Sequence, residues 1–211
     1  MEFATKKQAV AFSGTLSNPS KMPGKSWGLE ARETCPIGAK LSKVAGSVCA
    51  TCYASKGQYQ FKHVKNAHNI RLEKTKREHW QNAMVTMIGN DPFFRWHDSG
   101  DLYSYNYLLK IIEIIKATPK TQHWMPTHQK DFIRRYLKEH GTLPDNLTVR
   151  LSAAMIDGKP PTVEGVATST VHGKGSPHLG HACTANRRGG NCGNCRKCWD
   201  SKIQNISYPQ H

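Results

Sequence analysis

The sequence predicts an α/β protein: a partial parallel (β/α) barrel-like core with a Cys-rich, loop-dominated C-terminal segment. Three observations predict it. After residue 92, short β-rich runs alternate with amphipathic helical runs, the order expected of parallel strands joined by crossover helices. Polar groups recur where each of those strands should end. Seven cysteines fall into two groups, one before the alternation and one after it. The chain is therefore divided into a core over residues 1–157, with the first cysteine group in a loop, and a metal-binding segment over residues 158–211 packed on that core.

The elements follow in order. Residues 1–34, with Pro19, Pro23 and several glycines, read as irregular or strand-like. From Gln58 to Ile88 runs a long polar stretch without proline. In its second half Trp80, Ala83, Met84, Met87 and Ile88 fall at helical spacing, and Gly89-Asn90 stops the helix. "FFRWHDSGD" reads as a buried strand running into a glycine-containing loop. Ser104 can cap a helix whose Leu108, Ile111, Ile112 and Ile115 form one apolar stripe, ended by Pro119. "TQHWMPTH" is a second strand. Asp131 is expected to cap "FIRRYLKEH", with Gly141 as its stop. "NLTVRLSAAM" alternates as a strand and "GVATSTV" supplies another. From about Gly158 the composition turns to Gly, Pro, Ser and His, and the tail is held by something other than a core.

Composition narrows the function classes. Thirty Lys and Arg stand against 15 Asp and Glu, a formal charge of +15. Such an excess suits an anionic partner such as nucleic acid. Without a helix-turn-helix, zinc-finger helix or RNA-recognition signature, it implies salt-dependent affinity rather than sequence readout. The most apolar segment, "LLKIIEII", carries Lys110 and Glu113 and is too short to span a bilayer, so no membrane partner is expected. The N-terminal residues show no long apolar stretch of a secretion signal, so a reducing cytoplasm is the expected compartment. Seven cysteines there are better explained by metal than by disulfides.

The second group, Cys183-x8-Cys192-x2-Cys195-x2-Cys198, lets successive thiolates wrap one inorganic centre, with Gly190 and Gly193 permitting tight turns. Four thiolates complete either a tetrahedral zinc site or a [4Fe-4S] cluster. Zinc ligands usually come as separated pairs. A run of three cysteines at x2 spacing is closer to ferredoxin-like binding, so iron–sulfur is the primary reading and zinc the alternative.

The first group, Cys35-x13-Cys49-x2-Cys52, has three thiols. It could share a site with a C-terminal cysteine, or recruit His63 or another non-thiol ligand. It could also hold a four-iron cluster by three irons, leaving the fourth open. The division of three and four leaves no thiol idle and favours the last. A plainer alternative makes Cys49 and Cys52 a structural knuckle, with Cys35 incidental.

Ligand sites in parallel α/β folds lie at the C-terminal ends of the strands. Those ends carry His97, Asp98 and Asp101, then Thr127 and His128, then Ser152. His97, Asp98 and His128 are the candidates to line a catalytic cavity.

A three-cysteine loop, a helix and a strand ending in "SGD" together resemble the radical S-adenosylmethionine superfamily. Ser99, Gly100 and Asp101 look like that superfamily's "GGE" turn, which implies that they bind the amino group of S-adenosylmethionine. That superfamily also contains C-terminal cluster modules. Its usual motif is C-x3-C-x2-C, with the aromatic residue before the last cysteine; here the first spacing is x13 and Tyr53 follows Cys52.

A second resemblance covers more of the chain. "CATCYASKG", "FRWHDSGDLYS", "LTVRLSA" and "CGNCRKCWD", with a terminal "SYPQH", look like the phage proteins called the gene product 88 family. That resemblance implies a phage origin, iron–sulfur binding and the cytoplasm of an infected bacterium, and it implies no particular reaction. The substrate, small molecule or macromolecule, is left unspecified. The competing expectations are a non-enzymatic, metal-stabilised protein that binds nucleic acid, and a redox sensor.

Overall fold

Seven strands, all parallel, form one sheet in the computed structural model, which describes residues 2–210. They are β1 (Lys25–Trp27), β2 (Phe93–Trp96), β3 (Gln122–Thr127), β4 (Leu147–Ser152), β5 (Ala167–His172), β6 (His181–Ala182) and β7 (Asn205–Pro209). Their order is β1-β2-β3-β4-β5-β7-β6. The first five neighbours follow the chain order without a reversal, the winding of an unclosed (β/α) barrel rather than of a doubly wound sheet. The C-terminal segment supplies β5, β6 and β7 to this same sheet.

The expected strands at β2 to β5 are present. The short β1 and β6 carry too few residues for a period-2 pattern to reveal them, and the five-residue β7 is a further strand not expected from the sequence. The N-terminal region also differs from expectation. A helix, α1 (Lys6–Ser13), starts at a capping box in which the Thr5 side chain accepts from the Gln8 amide and the Gln8 side chain accepts from the Thr5 amide. A short helix, α2 (Pro36–Leu41), follows Cys35. The long polar stretch is two helices, α3 (Lys62–Thr75) and α4 (Trp80–Ile88), separated where His79 takes a left-handed φ of 65°. Helix α5 (Tyr105–Ala117) is capped by Ser104 as predicted. Helix α6 (Lys130–His140) is entered from Gln129, and Asp131 sits inside its first turn, where a carboxylate still favours the dipole.

The two faces of the sheet are covered differently. Phe94, Trp96, Met125, Val149 and Leu151 join the apolar core built with α1, α4, α5 and α6. Phe93, Arg95, Trp124, Thr148 and Arg150 meet the tail instead. Trp199 is the tail's anchor: its ring packs on Phe93 and Trp124 at 5.5 and 5.2 Å, and its Nε1–H donates to the Phe94 carbonyl at 3.0 Å. Beside it, the fully buried Arg150 guanidinium donates to five carbonyls, those of Lys197, Cys198, Asp200, Ile203 and Thr168. A cationic fork thus substitutes for the apolar core that the tail lacks.

Candidate functional site

All seven cysteines are free thiols, and they gather as the sequence divides them. The three-thiol group begins at Cys35, the residue that enters α2, with Pro36 at the first helical position. The thirteen-residue spacer is α2 plus a loop pinned to the chain beyond β4. In that loop the Val48 amide donates to Ala154, the Ile156 amide donates to Gly46, and Ser47 and Met155 form an antiparallel bridge. This pinning returns Cys49 to the strand ends, where its Sγ lies 3.6 Å from His128 Nε2.

Gly38 keeps the space between the thiols open. A Cβ there would stand 3.0 Å from Cys35 Cβ, 3.5 Å from Cys49 Sγ and 3.8 Å from Cys35 Sγ. Burial, then the Asp101 carboxylate and the neighbouring sulfurs, pushes the Cys35 thiol up to about 12. Burial first, then Cys52 and Asp101, does the same to Cys49, also to about 12. Metal-free, both are protonated thiols, so a metal bound here displaces protons.

The polar strand ends brace this loop. Asp101 is buried, and its carboxylate accepts from three protein donors: the Thr127 hydroxyl at 2.6 Å, the Leu102 amide at 2.7 Å and the His128 amide at 3.0 Å. Ser99 Oγ donates to the Leu29 carbonyl at 2.7 Å, and Gly100 packs against Leu29 and Thr34. Asp98 accepts from Ser26 Oγ at 2.7 Å, while its Oδ1 is buried without a hydrogen bond. A Cβ on Gly28 would come 1.9 Å from that oxygen, so the close passage of β1 beneath it requires glycine. His97 is buried with neither ring nitrogen in a well-aligned hydrogen bond, and burial lowers its pKa. His63, the sequence's candidate non-thiol ligand, is exposed on α3 with its ring against Phe61. It is His128 that reaches the thiols. Ser152 pairs with the Ser169 hydroxyl at 3.3 Å.

The four-thiol group surrounds a small cavity, lined by Cys183, Cys192, Cys195, Cys198, His181 and Trp199 among others. Each arm is held separately. The Cys183 amide donates to Ser207 in β7, the Cys192 amide to Lys21, and the Cys198 carbonyl accepts from Arg150. Tyr208 Oη lies 3.2 Å from Cys198 Sγ. Cys195 is exposed, the other three half-buried. Burial raises the Cys198 thiol to about 11 against the opposing pull of Tyr208 and Arg150.

Arg95 stands between the two groups. Its Nη2 donates to Tyr53 Oη at 3.2 Å, beside Cys52, and burial raises the Cys192 and Cys198 thiols against a small opposing pull from its charge. Its guanidinium lies 4.5 Å over the Trp124 ring. Sequence reasoning missed Arg95, Gly38 and Arg150; a charged residue inside a strand pattern is the available signal for the two arginines.

Among the described residues no three His, Cys, Asp or Glu side chains converge closely enough to hold a single metal ion. The donor chemistry, thiolates set around a cavity and around a glycine-sized gap, fits a polynuclear cluster, whose ligands attach at separate corners. No described helix is long and apolar enough to cross a membrane.

Fold and site together define a parallel α/β protein that carries one thiol group at the strand ends and another in the tail that packs on its sheet. The gene product 88 family model matches residues 2–201, and the chain belongs to that family of bacteriophage proteins. No curated protein and no solved structure matches it.

Proposed function

We propose that this phage protein is an iron–sulfur protein with two [4Fe-4S] centres. Cys183, Cys192, Cys195 and Cys198 would hold one, and Cys35, Cys49 and Cys52 the other. The observation that carries the reading is the gathering of all seven free thiols into a trio at the strand ends and a quartet around one cavity. When bound, a cluster held by three thiolates supplies one-electron chemistry and one coordination position not taken by cysteine. The protein's own part is to keep that position fixed and shielded. Asp101 ties the ends of β2 and β3 together, Gly38 leaves room between the sulfurs, and the loop bridged to Met155 covers them. The cytoplasm of the infected bacterium, where thiols stay reduced, is the compartment that suits it.

Anaerobic reconstitution with iron and sulfide tests this. The expected result is about eight irons per chain, falling by about half in Cys49→Ala and likewise in Cys195→Ala. Zinc without acid-labile sulfide, or iron unchanged in both variants, overturns the assignment.

A finer reading makes the trio a radical S-adenosylmethionine centre. It is supported by the placement of the cysteine loop after β1 and of "SGD" after β2, both at C-terminal strand ends. Equilibrium dialysis of the reconstituted protein against S-adenosylmethionine tests it separately. Binding that disappears in Cys49→Ala is expected. No binding to a protein with a full iron count removes the finer reading and leaves the two centres standing.

A further inference from the structure

We infer that the face around the four-thiol group is the docking site for an acidic protein that carries one electron. The inference rests on the iron–sulfur reading of that group and names the partner of the centre held there. Its basis is a ring of cations without counter-charges. Residues 173–211 hold six Lys and Arg against one acid, Asp200. Contacts to the thiol loop place four cations around the sulfurs. The Lys21 carbonyl accepts from the Cys192 amide at 2.9 Å, and the Lys21 side chain lies along Gly190. Arg188 donates to the Cys192 carbonyl at 3.3 Å and Arg196 to the Cys195 carbonyl at 2.9 Å. Lys197 Nζ lies 3.4 Å from His181 Nδ1, and both residues line the cavity. No carboxylate is among the described residues lining that cavity, and none of the four cations is in an ion pair among the described residues. Inside the ring, Cys195 is exposed while Cys183, Cys192 and Cys198 are half-buried. A centre bound here has one ligand at the surface, where an electron crosses directly to a docked protein.

The same cations fit a nucleic acid less well. Arg188 engages all three guanidinium nitrogens within the loop: Nε donates to Asn191, Nη1 to Thr184 and Nη2 to Cys192. Arg196 Nη1 donates to the Gly193 and Cys195 carbonyls. Guanidiniums folded back in this way keep their charge but offer no open fork for a phosphate. The tail also presents no indole or phenol for bases to stack on: Trp199 is buried against Phe93 and Trp124, and the Tyr208 hydroxyl meets Cys198. An acidic protein surface needs only the field, which steers encounter and sets orientation. Nor are the surface cations needed to neutralise the sheet side of the centre, where the buried Arg150 already donates to the Cys198 carbonyl at 3.0 Å. In the docked pair one electron leaves the reduced carrier, which is oxidised, and enters the four-thiol centre, which is reduced; no bond is made or broken.

The full chain, reconstituted anaerobically with iron and sulfide, tests this by calorimetric titration with flavodoxin, an acidic one-electron carrier, and with cytochrome c, a basic one. Flavodoxin should bind, and its affinity should fall at least about tenfold between about 50 and about 200 mM salt, while cytochrome c does not bind. Lys21→Glu combined with Lys197→Glu should weaken flavodoxin at least about tenfold with the iron count kept. Lys138→Glu, on α6 across the sheet, should leave the affinity unchanged. Mixed with reduced flavodoxin, the reconstituted chain should lose its charge-transfer absorption at a rate that falls in parallel with affinity. Flavodoxin that fails to bind a chain with full iron and sulfide, that binds the double variant equally well, or that binds no better than cytochrome c overturns the docking site and leaves the iron–sulfur reading intact. A short DNA duplex that binds this face where flavodoxin does not also overturns it, in favour of nucleic acid. Absence of acid-labile sulfide overturns both readings.

Discussion

Replacing Arg150 with methionine should detach the C-terminal cysteine turn from the sheet. Methionine keeps much of the buried volume but donates no hydrogen bond, so five carbonyls lose their partner. Four of them, at 2.7 to 3.0 Å, belong to residues 197–203; the fifth, Thr168 at 3.3 Å, belongs to β5. At about 1 kcal/mol for each abandoned buried acceptor, the four tail carbonyls cost about 4 kcal/mol. Removing a guanidinium that had to be desolvated returns part of this, and a net loss of about 3 kcal/mol is expected. The loss should be local as well as global. Amides of Trp199, Asp200 and Ile203, which bond within the turn, should lose about a hundredfold in hydrogen-exchange protection. Urea unfolding of the reduced, metal-free chain measures the global part. Arg150→Lys should recover less than half, because an ammonium offers three donors and no planar fork. An unchanged urea midpoint with unchanged exchange, or full recovery by lysine, would refute the claim that this fork holds the tail.

Two further outcomes follow from the packing. Gly38→Ala places a methyl 3.0 Å from Cys35 Cβ and 3.5 Å from Cys49 Sγ inside a helix, where alanine's advantage of about 1 kcal/mol as a helix former offsets the crowding. The metal-free chain should therefore keep its stability while the reconstituted chain loses the trio's iron; a full iron count in this variant counts against a centre between Cys35 and Cys49. His123 accepts from Trp96 Nε1 at 3.2 Å and pairs with the Thr118 hydroxyl at 2.9 Å, and burial lowers its pKa from 6.5 to about 3. Between those values the unfolded chain binds a proton that the folded chain refuses. Stability should therefore fall as pH drops from 6.5 toward 3, by on the order of 4 kcal/mol, with no contribution above 6.5. Urea titrations of wild type and His123→Gln across that range should diverge; parallel curves would show that His123 titrates freely.

What the sequence carried and what it hid have one physical origin. Periodicity is a statement about burial against an apolar layer, so it found the helix-facing elements: α4, α5, α6 and strands β2 to β5. It failed where burial is polar. Strand β1 is three residues long and is held in part by Arg71, which donates to Thr15, Ser17 and Gly28. Strand β7 pairs Ser207 with His172 at 2.7 Å rather than presenting an apolar stripe. Helix α1 was missed because its signal is a capping box on an otherwise polar stretch. The thiol groups were legible because spacing survives any fold. Their partners were not, since His128 and Arg95 meet the cysteines only through the pairing of β1, β2 and β3.

Arg95 links the surroundings of the two thiol groups, through Tyr53 on one side and by its charge near Cys192 and Cys198 on the other. On one side it holds Tyr53, whose hydroxyl donates to the Asp98 carbonyl at 2.5 Å, and so fixes the chain directly after Cys52. On the other, its charge acts on Cys192 and Cys198, and Arg196 stacks 5.1 Å over Phe93 on the same strand. Burial alone would lower the pKa of the guanidinium; the surrounding Tyr53, Asp98 and Tyr208 more than offset it, so the cation is permanent. At Cys192 and Cys198 this fixed positive charge opposes the rise that burial imposes on the thiols.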